Sequence, residues 1–290
     1  MSTESVVEEA VPFAVHGEAV LGLLSVPATP APGHTGVLIV VGGPQYRVGS
    51  HRQFVLWARA LATAGVPTLR FDVRGMGDST AAQRPFTELG DDIGAAIDVL
   101  LARQPELSRV VLCGLCDGAS AALLYLQQHP DPRVAGLMLL NPWVRSDDSM
   151  SRTIVKHYYL QRLLDRGFWA KLLRGQVARS ALAELARHAR ATFAPRPAAA
   201  GAVSASYQQR MAAAFVAMNG PVLLLLSGDD YTAKEFIEHA RADAGWTAAL
   251  ARPRVRRVDL PGADHTLSDS RHRLQLEAAS IEWLRAEALA

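Results

Sequence analysis

The residues best suited to covalent chemistry lie in the stretch Arg109-Val110-Val111-Leu112-Cys113-Gly114-Leu115-Cys116-Asp117-Gly118-Ala119-Ser120. An aliphatic run bends at a glycine, presents Cys116 and passes a second glycine into an alanine-rich segment. This is the G-x-S-x-G nucleophile elbow with sulfur in place of oxygen. A nucleophile on a tight strand-to-helix turn brings the residues two before and two after it close together. Both must therefore be small, and here they are Gly114 and Gly118. At a helix N-terminus, unpaired amides and the macrodipole favour the thiolate of Cys116, the form that attacks a carbonyl carbon. The same residues admit two other readings: a small buried apolar cysteine, and a Cys113-x-x-Cys116 redox pair. Cys113 falls inside the apolar run, whereas a redox pair brackets the start of its helix, and no second cysteine pair completes a zinc site.

A cysteine nucleophile needs a base, and the base needs an orienting group. In a sheet with helices on both faces such groups come from loops at the carboxyl ends of strands. Two late loops qualify, Ser227-Gly228-Asp229-Asp230 and Pro261-Gly262-Ala263-Asp264-His265-Thr266-Leu267-Ser268-Asp269. Of nine histidines, only His265 follows a late apolar strand across a glycine-containing turn. Asp229 and Asp230 are both candidates for the acid, and either could instead cap a helix beginning near Ala233. Acyl chemistry also requires backbone donors for the developing oxyanion. The amide of Asp117, the residue after the nucleophile, is one. The second is expected from Gly42-Gly43-Pro44-Gln45-Tyr46, where Pro44 has no amide hydrogen and Gln45 is preferred to Gly43 and Tyr46.

The elements that would position these groups alternate. Phe13 to His16 and Ala19 to Val26 read as strands joined at Gly17, after a frayed acidic tail from Met1 to Ala10. Val37 to Val41, Thr68 to Val73, Val110 to Leu115, Val134 to Leu140 and Val222 to Leu226 are short, nearly unbroken apolar runs, the signature of strands covered on both faces. A further strand is expected at Val255 to Leu260. Helical spacing recurs over Phe54 to Ala62, Thr87 to Arg103, the segment after the elbow, Ala233 to Ala242 and Leu274 to Ala288. The expected fold class is α/β, a mostly parallel doubly wound sheet.

The alternation breaks between Val144 and Gly220. Helical stretches at Met150 to Leu164, Phe168 to Leu173, Val177 to Phe193 and Tyr207 to Met218 follow one another without a strand between them. The expected organisation is a core of residues 1–143 and 221–290 with an inserted helical lid over 144–220. That segment carries twelve Lys or Arg against four acids, a local +8 that leaves −6 on the rest of a chain whose total is +2. Such segregation suits an anionic group on the substrate, such as a phosphorylated acyl carrier or an acidic saccharide. The same arginines could equally lay apolar stems over helix surface. Tyr46, Trp143, Tyr158 and Trp169 are candidates for the wall of an acyl pocket, and aromatic residues so spaced also serve as helix-packing core.

Composition excludes several classes. A net charge of +2 argues against a general nucleic-acid binder. No apolar run approaches the length of a membrane span, and the acidic N-terminus is not that of a secretory signal. Two cysteines three apart cannot form a disulfide framework, which fits a reducing, cytoplasmic compartment. No cofactor or metal is implied.

Taken together, Gly-Gly-Pro after one strand, Asp72-x-Arg74-Gly75-x-Gly77-x-Ser79 after the next, the elbow, the acid loop and the His265 loop resemble the α/β-hydrolases over the whole chain, in their order of nucleophile, acid and histidine. That resemblance implies Asp230, rather than Asp229, as the acid, and a Cys116-His265-Asp230 triad cleaving an ester or thioester through an acyl-cysteine. An acyltransferase using the same residues and a non-catalytic binding module are the alternatives. More narrowly, Val41-Gly-Gly-Pro-Gln-Tyr-Arg-x-Gly-Ser-His51, Arg74-Gly-Met-Gly-Asp-Ser79 and Gly167-Phe-Trp-x-Lys-Leu-Leu-x-Gly175 resemble the first type of hydrolase associated with exosortase A systems. Those are bacterial proteins encoded near exopolysaccharide and protein-sorting genes, and the resemblance implies no substrate. The cysteine departs from the serine usual in the superfamily, although dienelactone hydrolases also carry an elbow cysteine.

Overall fold

The computed structural model describes residues 6–29, 33–43, 45–145 and 205–289. Contacts divide the chain into a unit of Met1–Val144 with Ala205–Ala290 and a unit of Arg145–Ser204. The first unit is built on an eight-stranded sheet: β1 (Val6–Val15), β2 (Glu18–Pro27), β3 (Thr35–Val40), β4 (Thr68–Phe71), β5 (Arg109–Leu115), β6 (Val134–Leu140), β7 (Val222–Ser227) and β8 (Val255–Leu260). Its spatial order is β1-β2-β4-β3-β5-β6-β7-β8. β1 and β2 form an antiparallel hairpin, and β2 pairs antiparallel with β4. Every pairing from β4 through β3 to β8 is parallel.

The unbroken apolar runs have a direct explanation. In β3, Val37 and Ile39 face one hydrophobic cluster while Leu38 and Val40 face another, and all four are fully buried. Two helices cover the first face, α1 (Gln53–Thr63) and, at the end of the chain, α7 (Ser270–Ala286). They are tied where Trp57 Nε1 donates to Ser280 Oγ at 3.2 Å. On the opposite face lie α2 (Gly90–Arg103), α3 (Asp117–Gln128), α4 (Tyr207–Ala217), α5 (Tyr231–Ala242) and α6 (Ala244–Leu250).

Three sequence expectations are corrected. Residues 6–10 are not a frayed tail but the first half of β1. Their charges are consumed by partners: Glu8 accepts from Ser25, Arg59 and Arg70, and Glu9 pairs with Arg103. The helix expected in the lid at Tyr207 to Met218 belongs to the first unit, where Met211, Ala214 and Phe215 are buried in the same cluster as α3. It starts at a capping box formed by Ser206 and Gln209. Its Arg210, counted with the lid charge, donates to Gln127 Oε1 at 2.9 Å on α3. The unit that holds the sheet therefore resumes at Ala205, where the sequence expectation placed the boundary after Gly220. Helix α6, capped by Asp243, was not anticipated. The other expected lid helices, with Tyr158 and Trp169, lie outside the described residues, as does Pro44.

Candidate active site

Parallel register brings the carboxyl ends of β5, β6, β7 and β8 to one edge, because Leu115 pairs with Leu140, Leu140 with Leu225 and Ser227 with Leu260. The residue after Leu115 is Cys116, at φ 61° and ψ −126°. A non-glycine side chain at positive φ is strained, and such strain is held where the surroundings over-determine the turn. Here its amide donates to Leu140 O at 2.9 Å. Its carbonyl receives the amides of Ala119 at 3.1 Å, Ser120 at 3.2 Å and Trp143 at 3.2 Å. Ser120 Oγ also donates to Trp143 O at 2.7 Å, clipping the loop after β6 onto the elbow. Cys116 is partly exposed. Cys113, three residues earlier, is fully buried in the sheet, and burial pushes its thiol well above the usual range. A thiol redox pair would need that sulfur accessible, so Cys113 is a strand residue.

The two flanking glycines are sterically required. A methyl group at Gly114 would stand 2.5 Å from both Ala119 N and the Gly118 carbonyl carbon, and one at Gly118 would overlap Val40 O. Gly118 thus lets α3 press against the end of β3, beside the oxyanion loop that starts at Gly42.

Across the same edge, Asp230 ends the β7 loop and is 5% exposed. Its carboxylate does two jobs. Oδ1 accepts from Thr232 N at 3.0 Å and Oδ2 from Ala233 N at 3.2 Å, capping α5. Oδ2 also meets His265 Nδ1 at 2.9 Å. One carboxylate thus caps α5 and contacts the His265 ring. Asp229 is exposed, and its amide donates to Ala263 O at 2.9 Å. The His265 loop is shaped by Asp264, whose Oδ1 accepts from Thr266 N at 3.1 Å and Ser268 N at 3.0 Å, and whose Oδ2 takes the Ser268 hydroxyl. His265 lies near enough to the elbow to favour the charged form of Asp117.

Two supports were not read from the sequence. Asn141, fully buried at φ 47°, accepts from Ser227 N at 2.8 Å and donates to Ser227 Oγ at 3.0 Å, locking the end of β6 to the start of the acid loop. Asparagine tolerates that backbone, and its amide supplies both donor and acceptor. Asn141→Ala strips Ser227 N of its partner and is expected to cost about 1–3 kcal/mol, read as a lowered urea midpoint at unchanged m-value. The second support is Asp72, fully buried after β4. It accepts the amide of Arg47 at 2.6 Å and that of Asp78 at 2.9 Å and pairs with the Arg47 guanidinium, which also reaches Asp78 at 2.7 Å. The Asp72-x-Arg74-Gly-x-Gly motif thereby anchors the loop after β3 at Arg47. Arg74 itself is buried against Asp92, with Glu18 close by.

In the oxyanion loop, Gly43 adopts φ 63° and its amide acts on the Asp117 carboxyl at the start of α3. Gln45 has its side-chain oxygen buried without a hydrogen-bond partner, and Tyr46 is exposed. Trp143 is half-buried and bonded through its backbone to the elbow. Among the described residues no cluster of His, Cys, Asp and Glu could hold a metal, and no helix is long and apolar enough to cross a membrane.

A family profile described as "serine aminopeptidase, S33" matches residues 34–267, which span β3 through the His265 loop. The chain belongs to this family of α/β-hydrolases. No curated protein matches it. Among solved structures, it is similar to the Pyrococcus furiosus esterase Pf2001 at 14% identity and TM-score 0.64, covering 99% of this chain and 95% of that one. It is similar to a thermostable carboxyl esterase from Bacillus coagulans at 16% identity and TM-score 0.63, covering 97% and 98%. A dienelactone hydrolase from Anabaena variabilis matches at 16% identity and TM-score 0.61, covering 98% and 99%. At these identities the likeness is one of fold. Where the family's description names a serine enzyme, the elbow of this α/β-hydrolase carries Cys116.

Proposed function

We propose that this α/β-hydrolase cleaves a carboxylic ester or thioester through Cys116, His265 and Asp230. The observation that carries the reading is the 2.9 Å contact between His265 Nδ1 and Asp230 Oδ2, on the sheet edge where Cys116 stands at a strained elbow. With Nδ1–H donated to the carboxylate, Nε2 is the atom left to take and return a proton. Cys116 loses its proton to Nε2 and the sulfur attacks the carbonyl carbon. The tetrahedral intermediate collapses to an acyl-cysteine as His265 protonates the departing alcohol or thiol. Water, deprotonated by the same nitrogen, then releases the acid and returns the sulfur. The oxyanion at each stage is met by the Asp117 amide and by a second amide from the Gly43 to Tyr46 loop, that of Gln45 being preferred.

Replacing water by another alcohol or an amine gives acyl transfer with the same residues. The charge of the inserted segment supports an anionic or carrier-bound acyl substrate. The elbow and loop motifs support a place beside the exosortase-associated hydrolases, and two cysteines that form no disulfide support a reducing compartment. Intact-protein mass spectrometry after exposure to p-nitrophenyl esters and acyl thioesters tests the reading. An acyl adduct on the wild type and none on Cys116→Ala is expected, with its mass reporting the acyl preference. Equal labelling of both overturns it, and a Cys116 that resists both acylation and alkylation points to a binding module.

A further inference from the structure

The residue after the nucleophile is aspartate, and its side chain faces the oxyanion loop. Asp117 Oδ1 is buried without a hydrogen-bond partner of ordinary geometry. It packs so closely on Gly42 that a methyl group there would overlap it, and a methyl at Gly43 would lie 3.8 Å away. The backbone amides of Gly43, Asp117 and Gly118 favour the charged form of the carboxyl. The amide of Asp117 is the donor that acyl chemistry on this elbow would direct at the substrate's oxygen, and Gly43 lies in the loop expected to supply the second. We propose that the carboxyl group of Asp117 occupies the oxyanion pocket of the resting protein, and admits the substrate's carbonyl oxygen only when it carries a proton. The proposal rests on Cys116 being the nucleophile.

A structural reading competes with it: an acidic side chain in the first turn of α3 complements the helix dipole. That role would leave the carboxylate solvated and easily ionised. Burial wins instead and pushes the Asp117 carboxyl above its ordinary value, against the three amides and His265, which act the other way. Among the described residues, the titratable side chain that acts on it is His265, from the loop after β8, and Cys116 is its chain neighbour. Gly42 and Gly43 bring only backbone, and Arg47, further along that loop, is committed to Asp72 and Asp78.

The consequence is a division by protonation state. An ionised Asp117 competes for the amides and repels the negative charge that grows on the carbonyl oxygen. A neutral Asp117 can turn its O–H toward that oxygen as a further donor and keep its proton when the intermediate collapses and the charge leaves with the departing group. No proton is gained or lost by Asp117 over the turnover. The same carboxylate, when ionised, disfavours the thiolate beside it, so its effect on sulfur and its effect on the pocket must be separated.

Two electrophiles separate them. Iodoacetamide loses iodide at a saturated carbon and reports the thiolate alone; p-nitrophenyl acetate passes through an oxyanion. The ratio of acylation to alkylation rates at Cys116, followed from about pH 5 to pH 9, isolates the pocket. In the wild type that ratio is expected to fall with rising pH by on the order of tenfold, less than the loss of a whole oxyanion donor. In Asp117→Asn, a neutral occupant, and Asp117→Ser, which empties the pocket, the ratio is expected to be flat. A flat wild-type ratio, or variants that fall as the wild type does, overturns the proposal. If neither variant folds, the wild-type profile decides. Acylation of Cys116→Ala at the wild-type rate instead removes the nucleophile assignment itself, a failure visible without any Asp117 variant.

Discussion

Asp230→Asn is expected to lower kcat/KM for an activated ester by about 10³- to 10⁴-fold while changing the free energy of unfolding by less than about 0.5 kcal/mol. The asymmetry follows from the two jobs of one carboxylate. An asparagine oxygen still accepts from Thr232 N, so α5 keeps its cap. Toward His265 the amide cannot supply the negative charge that steadies an imidazolium, and its NH2 group can drive the ring into the other tautomer, with Nδ1 as acceptor and Nε2 protonated. That tautomer cannot take the proton from Cys116. Asp230→Ala removes cap and orienter together and is expected to add about 1–2 kcal/mol of destabilisation to the same kinetic loss. Kinetics and thermal unfolding of the two variants, side by side, test the separation. An Asp230→Asn enzyme of near wild-type activity would show that the 2.9 Å contact is structural and that another group orients the base.

What could be read from the sequence follows from what the sheet buries. Strands β3, β5, β6 and β7 are covered on both faces, so their runs are apolar without interruption and stand out from helices by length alone. Glycine turns and strand order point to Cys116 and the His265 loop at their carboxyl ends, whereas the choice of Asp230 over Asp229 comes only from the family resemblance. β1 was only half legible, since its charged residues find partners distant in sequence, in Ser25, Arg59, Arg70 and Arg103. Helix α4 was misassigned for a related reason. Its small apolar face packs on α3, and nothing in alanine periodicity says which surface such a face will meet. Asn141 followed by Pro142 reads as a turn, and its bond pair to Ser227 appears only when β6 and β7 are side by side. The direction of the Asp117 side chain was equally hidden, because it depends on Gly42, seventy-five positions earlier in the chain.

The other large effect concerns the elbow's shape rather than its chemistry. Gly114→Ala is expected to destabilise the protein by about 3 kcal/mol or more, because the added methyl meets Ala119 N and the carbonyl carbon and oxygen of Gly118 at 2.5–2.6 Å, all of them backbone. A flexible side chain could swing away; the first turn of α3 cannot, since the Cys116 carbonyl holds it through the amides of Ala119 and Ser120. Gly94 on α2 provides the opposite case. A methyl there finds only Tyr125, a ring carbon at 3.6 Å and the hydroxyl at 3.7 Å, so Gly94→Ala makes ordinary contact and stiffens a helix interior. It is expected to stabilise by about 0.5–1 kcal/mol. Chemical denaturation of the two variants compares one substitution in two settings and does not depend on activity. If Gly114→Ala unfolded at the wild-type midpoint, the turn would not be as tight as described, and the strained φ of Cys116 would lose the surroundings that hold the sulfur in place.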